Sequence, residues 1–180
     1  MLQITVPGAE CWDSKKERFI QEPPVVLCLE HSLVSLSKWE QKWCKPFLKK
    51  EPKTREETLD YIRCMTLTQN VDPSVYLRLS DSNINEINKY IESPMTATIV
   101  SEDKNHPKNH EIITSELIYY WMVALQIPFE CQKWHLNRLI TLIKVCNKKN
   151  APPKKSSQKQ LYNKHRAINE ANKKRFHSNG

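Results

Sequence analysis

Glycine is nearly missing from this chain: among 180 residues it occurs only at Gly8 and Gly180. Loops that cradle phosphate use glycine so that the backbone can turn tightly and approach the anion. None can be built between Ala9 and Asn179, which excludes Walker, dinucleotide-binding and kinase-type loops and the nucleotide chemistry they serve. Long apolar runs are missing too. The longest, Leu117 to Leu125, has nine residues, whereas a membrane helix needs about 20. Met1-Leu2-Gln3 has neither the charged nor the apolar region of a secretory signal, so the expectation is a soluble, intracellular protein without membrane contact. The six cysteines (Cys11, Cys28, Cys44, Cys64, Cys131, Cys146) form no Cys-x-x-Cys pair and read as reduced core residues rather than a disulfide frame.

Acidic residues are scarce in one region only. From Asn147 to Gly180 there are ten Lys and Arg but a single acid, Glu170, a net charge of +9; residues 1–146 carry 18 bases and 19 acids. The overall charge of +8 and pI near 9.2 therefore describe an arm attached to a near-neutral body.

Within the body, Leu2–Val6 alternates as a strand would and stops at Pro7-Gly8. Arg18–Gln21 is a weaker strand candidate, and Val25–Glu30 is a stronger one behind Pro23-Pro24. Together they predict a small antiparallel element. Helices follow. Ser37-x-x-Glu40 and Thr54-x-x-Glu57 read as capping boxes. The first opens a helix with Trp39 and Trp43 on one face, ending at Pro46. The second opens a helix with Leu59, Ile62 and Met65 aligned. Asp72-Pro73 marks a turn, and Ser80–Ser82 can cap a helix carrying Ile84, Ile87 and Ile91. Met95–Val100 is β-branched and predicts a strand, with a loop over Ser101–His110. Thr114 caps a helix running to Gln126, apolar enough to be largely buried. After Pro128, a helix from Glu130 to Asn147 places Leu136, Leu139, Ile140, Leu142, Ile143 and Cys146 on one side. This helical hairpin is the expected centre of the core. Beyond Pro152-Pro153, Gln158–Lys174 has helical potential but too little apolar surface to hold it, so disorder until binding is expected.

The candidate chemistry is sparse. Cys131 and His135 have i, i+4 spacing, which suits two metal ligands on a helix, but no second pair completes a set, and core packing is the plainer reading. His106 and His110 share that spacing around Pro107, in a polar loop. Glu30-His31-Ser32 has the residue types of a catalytic triad, yet strand neighbours point to opposite faces. No catalytic residue, metal or cofactor is predicted, and the chain reads as non-catalytic. Trp39/Trp43 and Tyr119/Tyr120/Trp121 could stack on bases, but their apolar helical neighbours favour packing, with Tyr120 left at the surface for a partner. The arm residues Lys148, Lys149, Lys154, Lys155, Lys159, Lys164, Arg166, Lys173, Lys174 and Arg175 suit nucleic acid, an acidic protein or plain solvation. Composition leaves all three open.

Three strings carry a resemblance: LEHSLVSLSKWE (Leu29–Glu40) followed by KPFL (Lys45–Leu48), the stretch Glu116–Lys155, and AINEANKKRFHSNG (Ala167–Gly180). They are similar to a family of tailed-bacteriophage tail assembly chaperones. The similarity runs from the first strand through the arm and is least distinctive over Ser80–Asn109. It implies a non-catalytic factor, active in the host cell cytoplasm and not expected in the mature virion. Such a factor keeps the tape measure protein soluble while the tail tube assembles; from the residues themselves, the aromatic-rich helical body suits self-association or groove binding. The expected fold is α+β, mainly α-helical, with a globular domain over residues 1–147 and a Lys-rich flexible tail over 148–180. The alternatives are a nucleic-acid-binding accessory protein acting through the tail, or a structural tail or connector component. Expected partner-binding residues are Lys154, Lys155, Lys159, Lys164, Arg166, Lys173, Lys174, Arg175 and Tyr120.

Overall fold

The computed structural model describes residues 1–13, 17–100, 111–151 and 158–176. The fold is α+β and mainly helical, and the chain divides into two compact units, Met1–Lys148 and Lys149–Gly180.

In the first unit, strand β1 (Leu2–Val6) pairs antiparallel with β4 (Val25–Leu29), with Ile4 opposite Leu27. The two-residue strand period sends Ile4, Val6, Leu27 and Leu29 to one face, where each is at most 3% exposed. Strands β2 (Ala9–Asp13) and β3 (Arg18–Glu22) make a separate antiparallel pair. The chain passes into β2 through Gly8, where a Cβ atom would stand 2.4 Å from the Glu22 carbonyl oxygen. Only glycine tolerates that approach.

Helix α1 (Leu33–Trp43) begins earlier than the Ser37 box predicts. Ser32 is its N-cap, and Ser32 and Ser35 satisfy each other's backbone N–H groups. Ser37 lies inside the helix, and Glu40 serves a different purpose described below. Helix α2 (Arg55–Met65) opens with the expected Thr54/Glu57 box, and α4 (Asp81–Glu92) is capped by Ser80 and Asn83. A four-residue helix, α3 (Ser74–Leu77), follows the turn at Asp72-Pro73. With glycine unavailable, Cys44, Asn70, Met95 and Gln126 occupy left-handed turns at φ of 51°, 54°, 47° and 56°. Such positions cost an L-residue roughly 1–2 kcal/mol.

Three expectations need correction here. Met95–Val100 is not a strand, since no described segment pairs with it. Among the described residues its β-branched composition has no ladder to join, and the Thr98 N–H instead bonds Thr96 Oγ1 at 3.1 Å. Helix α5 (Ser115–Ala124) is capped by Thr114 but is less covered than its apolarity suggests: Ser115, Ile118 and Met122 are buried, while Tyr120 and Val123 are 65% and 61% exposed. The continuous helix expected from Glu130 is broken. A 3₁₀ turn covers Phe129–Lys133, Trp134 is extended, and α6 spans Leu136–Asn150. The break has a tertiary cause. Ser32 and His135 form an antiparallel bridge, and the Leu136 N–H bonds the His31 carbonyl at 2.7 Å.

Two apolar clusters result. Leu27, Leu29, Trp39, Ile62, Met65 and Ile87 sit in the first; Leu33, Leu36, Ile118, Met122, Leu136 and Leu139 sit in the second. Helix α1 contributes to both, so it is the partition around which strands and helices pack.

The second unit contains α7 (Gln158–Phe176), over the stretch whose sequence has helical potential. Ala, Lys, Gln and Arg are strong helix formers. Arg166 Nε meets Glu170 Oε1 at 3.1 Å with i, i+4 spacing, and Lys173, Lys174 and Arg175 occupy the last turn, where cations favour the helix dipole. Among the described residues, no helix is long and apolar enough to cross a membrane.

Candidate functional site

The most concentrated polar chemistry lies where β4 hands over to α1. Glu30, His31 and Ser32 are consecutive but turn to different partners. Glu30 Oε1 accepts from the Tyr90 hydroxyl at 2.7 Å, His31 Nδ1 lies 2.6 Å from the Tyr61 hydroxyl, and Ser32 caps α1. No triad forms among them. His31 instead faces His135, their ring centroids 5.1 Å apart and nearly edge to face. His135 Nε2 donates to the Tyr90 carbonyl at 3.0 Å, and its Nδ1 accepts from the Asn137 N–H at 3.3 Å. That combination defines the neutral Nε2–H tautomer, and it makes His135 the N-terminal cap of α6.

Burial sets the protonation of this cluster. His31 is 2% exposed, and its pKa is lowered to about 3, first by desolvation and then by His135. Desolvation also lowers His135, against the opposing pull of the Tyr90 carbonyl and Glu30. The Tyr61 hydroxyl is pushed above its ordinary value by burial and stays protonated. His31 and Tyr61 are thus neutral groups joined by a buried hydrogen bond. The arrangement suits structural locking of β4, α2, α4 and α6 to one another.

Cys131 and His135 do not share a helix face, because the chain leaves the 3₁₀ turn between them. His106 and His110 lie outside the described residues. Among the described residues, no three His, Cys, Asp or Glu side chains stand close enough to hold a metal ion. The tryptophans expected to pack do so. Trp39 is 1% exposed and donates to the Glu57 carbonyl at 2.9 Å, and Trp43 donates to Asp60 Oδ2 at 2.9 Å. Glu40, buried beside them, receives the Phe47 N–H at 2.8 Å and the Ser115 N–H at 2.7 Å. It clasps the loop after α1 to the start of α5, a role that local sequence gives no sign of.

The surface residues divide between the two units. Tyr120 belongs to the first, on the outward side of α5 with Glu116 and Val123, residues that recur at helical spacing. Lys159, Lys164, Arg166, Lys173, Lys174 and Arg175 belong to α7 in the second, whereas Lys154 and Lys155 lie outside the described residues. On α7, Tyr162, Ile168 and Phe176 are 69%, 45% and 69% exposed, and Arg166, Lys173, Lys174 and Arg175 are exposed as well.

No protein-family model, curated protein or solved structure matches the chain.

Proposed function

We propose that this protein is a non-catalytic tail assembly chaperone of a tailed bacteriophage. It acts in the host cytoplasm by binding the tape measure protein and keeping it soluble until the tail tube closes around it. The sequence resemblance suggests the role, and α7 is the observation that carries it. A helix of 19 residues with six bases and one acid leaves every apolar side chain described on it open to solvent. Helices in proteins draw most of their stability from packing an apolar face rather than from propensity, so a partner that covers the Ile168 face and offers carboxylates to the surrounding cations would stabilise it. A long helical client meets both requirements. The inward-facing polar groups of the body are consistent with a scaffold that presents this helix and performs no reaction.

Co-expression with the tape measure protein tests the reading. The full chain is expected to raise the soluble yield of the client and to be retained with it in a pull-down, and removal of residues 149–180 should abolish both effects. A client that stays insoluble and unbound in the presence of the full chain refutes it.

The Lys173-Lys174-Arg175 cluster supports a second reading, phosphate binding along nucleic acid. In that case affinity for duplex DNA would fall steeply with salt, by close to one power of salt concentration for each phosphate contacted. Recovery of the chain at fixed stoichiometry from purified particles would instead favour a structural tail or connector component.

A further inference from the structure

An apolar groove of about 230 Å³ runs between α2 and α4. Tyr61 and Ile62 form one side, and Ile84, Ile87 and Ile91, at spacings of three and four, form the other. Phe47 also lines it and stacks on Tyr61, with ring centroids 3.8 Å apart and planes 26° from parallel. The volume lies between the roughly 150 Å³ that admits benzene and the roughly 300 Å³ at which ordinary ligand sites begin. It therefore has room for an apolar group on the order of six to eight carbons.

One charge lines this groove. Lys53 Nζ stands 4.3 Å from the Phe47 ring centroid. The acids around it are already engaged: Glu57 with Lys45 at 2.7 Å and Glu51 with Lys49 at 2.5 Å. Among the described residues no carboxylate lies within ion-pair distance of Lys53, which leaves it as the surplus cation of the cluster. Burial lowers the pKa of its amine, with Glu57 and Glu51 opposing, as expected where water is partly excluded from an ammonium group. Asn88 lines the same groove, is exposed, and has a side-chain amide free to donate.

We propose that the groove between α2 and α4 binds a free carboxylate with a short apolar tail, the tail lying among Ile84, Ile87 and Ile91 and the carboxylate resting on Lys53. One lysine balances a single negative charge. The nearby Glu51 and Glu57 disfavour a doubly charged phosphate, and a cation would be repelled. A neutral alcohol of the same length would gain only the apolar contact. The site involves neither α7 nor any protein client.

Titration of the full chain with octanoate, octanol and octylammonium, followed by isoleucine methyl NMR, tests this. Octanoate is expected to shift the Ile84, Ile87 and Ile91 signals saturably. Octanol should bind at least tenfold more weakly, and octylammonium should leave the signals unmoved. Lys53→Met keeps the apolar stem and removes the charge, so it should abolish the preference for octanoate over octanol, while Lys53→Arg should retain it. Ile84→Trp, verified as folded by its thermal melt, should block all three ligands. Absence of saturable shifts in the wild-type chain overturns the proposal, as does an octanoate preference that survives Lys53→Met.

Discussion

The buried histidine pair makes stability depend on pH in a window where little else titrates. His31 has a folded pKa of about 3, against about 6.5 for an unperturbed imidazole. Below pH 6.5 the unfolded chain takes up a proton that the folded chain refuses until about pH 3. The stability of the folded state is therefore complete above pH 6.5 and falls as the pH drops. From His31 alone the loss is about 2 kcal/mol at pH 5 and about 3 kcal/mol at pH 4. His135, also lowered by burial, adds to the loss in the same direction. Carboxylates whose pKa is depressed, such as Glu57 beside Lys45 and Asp72 beside Ser74, lose their contribution at lower pH, below about 4.5. Urea unfolding followed by tryptophan fluorescence at pH 7.5, 6 and 5 should therefore isolate the histidines. His31→Asn places an amide near the position of Nδ1, where it can still meet the Tyr61 hydroxyl. It is expected to cost about 1–3 kcal/mol at pH 7.5 through lost packing and weaker hydrogen bonding. It should also remove about one proton from the pH slope. A wild-type stability that is flat between pH 7.5 and 5, or a slope unchanged by His31→Asn, would refute the reasoning.

Glu40→Ala should cost about 2–4 kcal/mol, since it leaves the N–H groups of Phe47 and Ser115 without their acceptor in a buried setting; chemical denaturation measures it, and a loss below about 1 kcal/mol would mean the clasp is dispensable. Cys44→Gly should raise stability by roughly 1 kcal/mol in the same assay, because φ is 51° there and glycine relieves the left-handed strain. Leu139→Asp puts a charge into the second cluster, where Leu139 is 0% exposed, at a cost of several kcal/mol. Loss of the cooperative thermal transition is expected, and an unchanged melting temperature would place that face in solvent.

Local signals were legible wherever the physics is local. Thr54/Glu57 and Ser80 cap the helices that their spacing announces, and the alternation of Leu2–Val6 becomes a buried strand face. The errors arise where a distant residue decides. Ser37-x-x-Glu40 fits a capping box better than Ser32-x-x-Ser35 does. The helix nevertheless starts at the serine pair, because the Glu40 carboxyl is claimed by Phe47 and by Ser115, 75 residues away. The break at His135 is invisible in the amphipathic stripe, since it depends on pairing with Ser32. Met95–Val100 has strand composition but, among the described residues, no neighbour to pair with. The exposure of Tyr120 followed from the pattern of α5. The groove beside Lys53 did not, because it is lined by both α2 and α4 and no property of either helix alone encodes that space.

The bond from the Leu136 N–H to the His31 carbonyl also bears on synthesis. About a hundred residues separate the two, and at ordinary translation rates that interval lasts roughly 5–20 s. During this time Leu33 and Leu36 have emerged, but the α6 residues that complete their cluster have not. A nascent chain therefore carries an uncovered apolar helix face through most of its elongation. Crowded ribosomes on one message would bring several such faces together, so aggregation during expression should track translation speed between codons 33 and 143 rather than the stability of the finished fold.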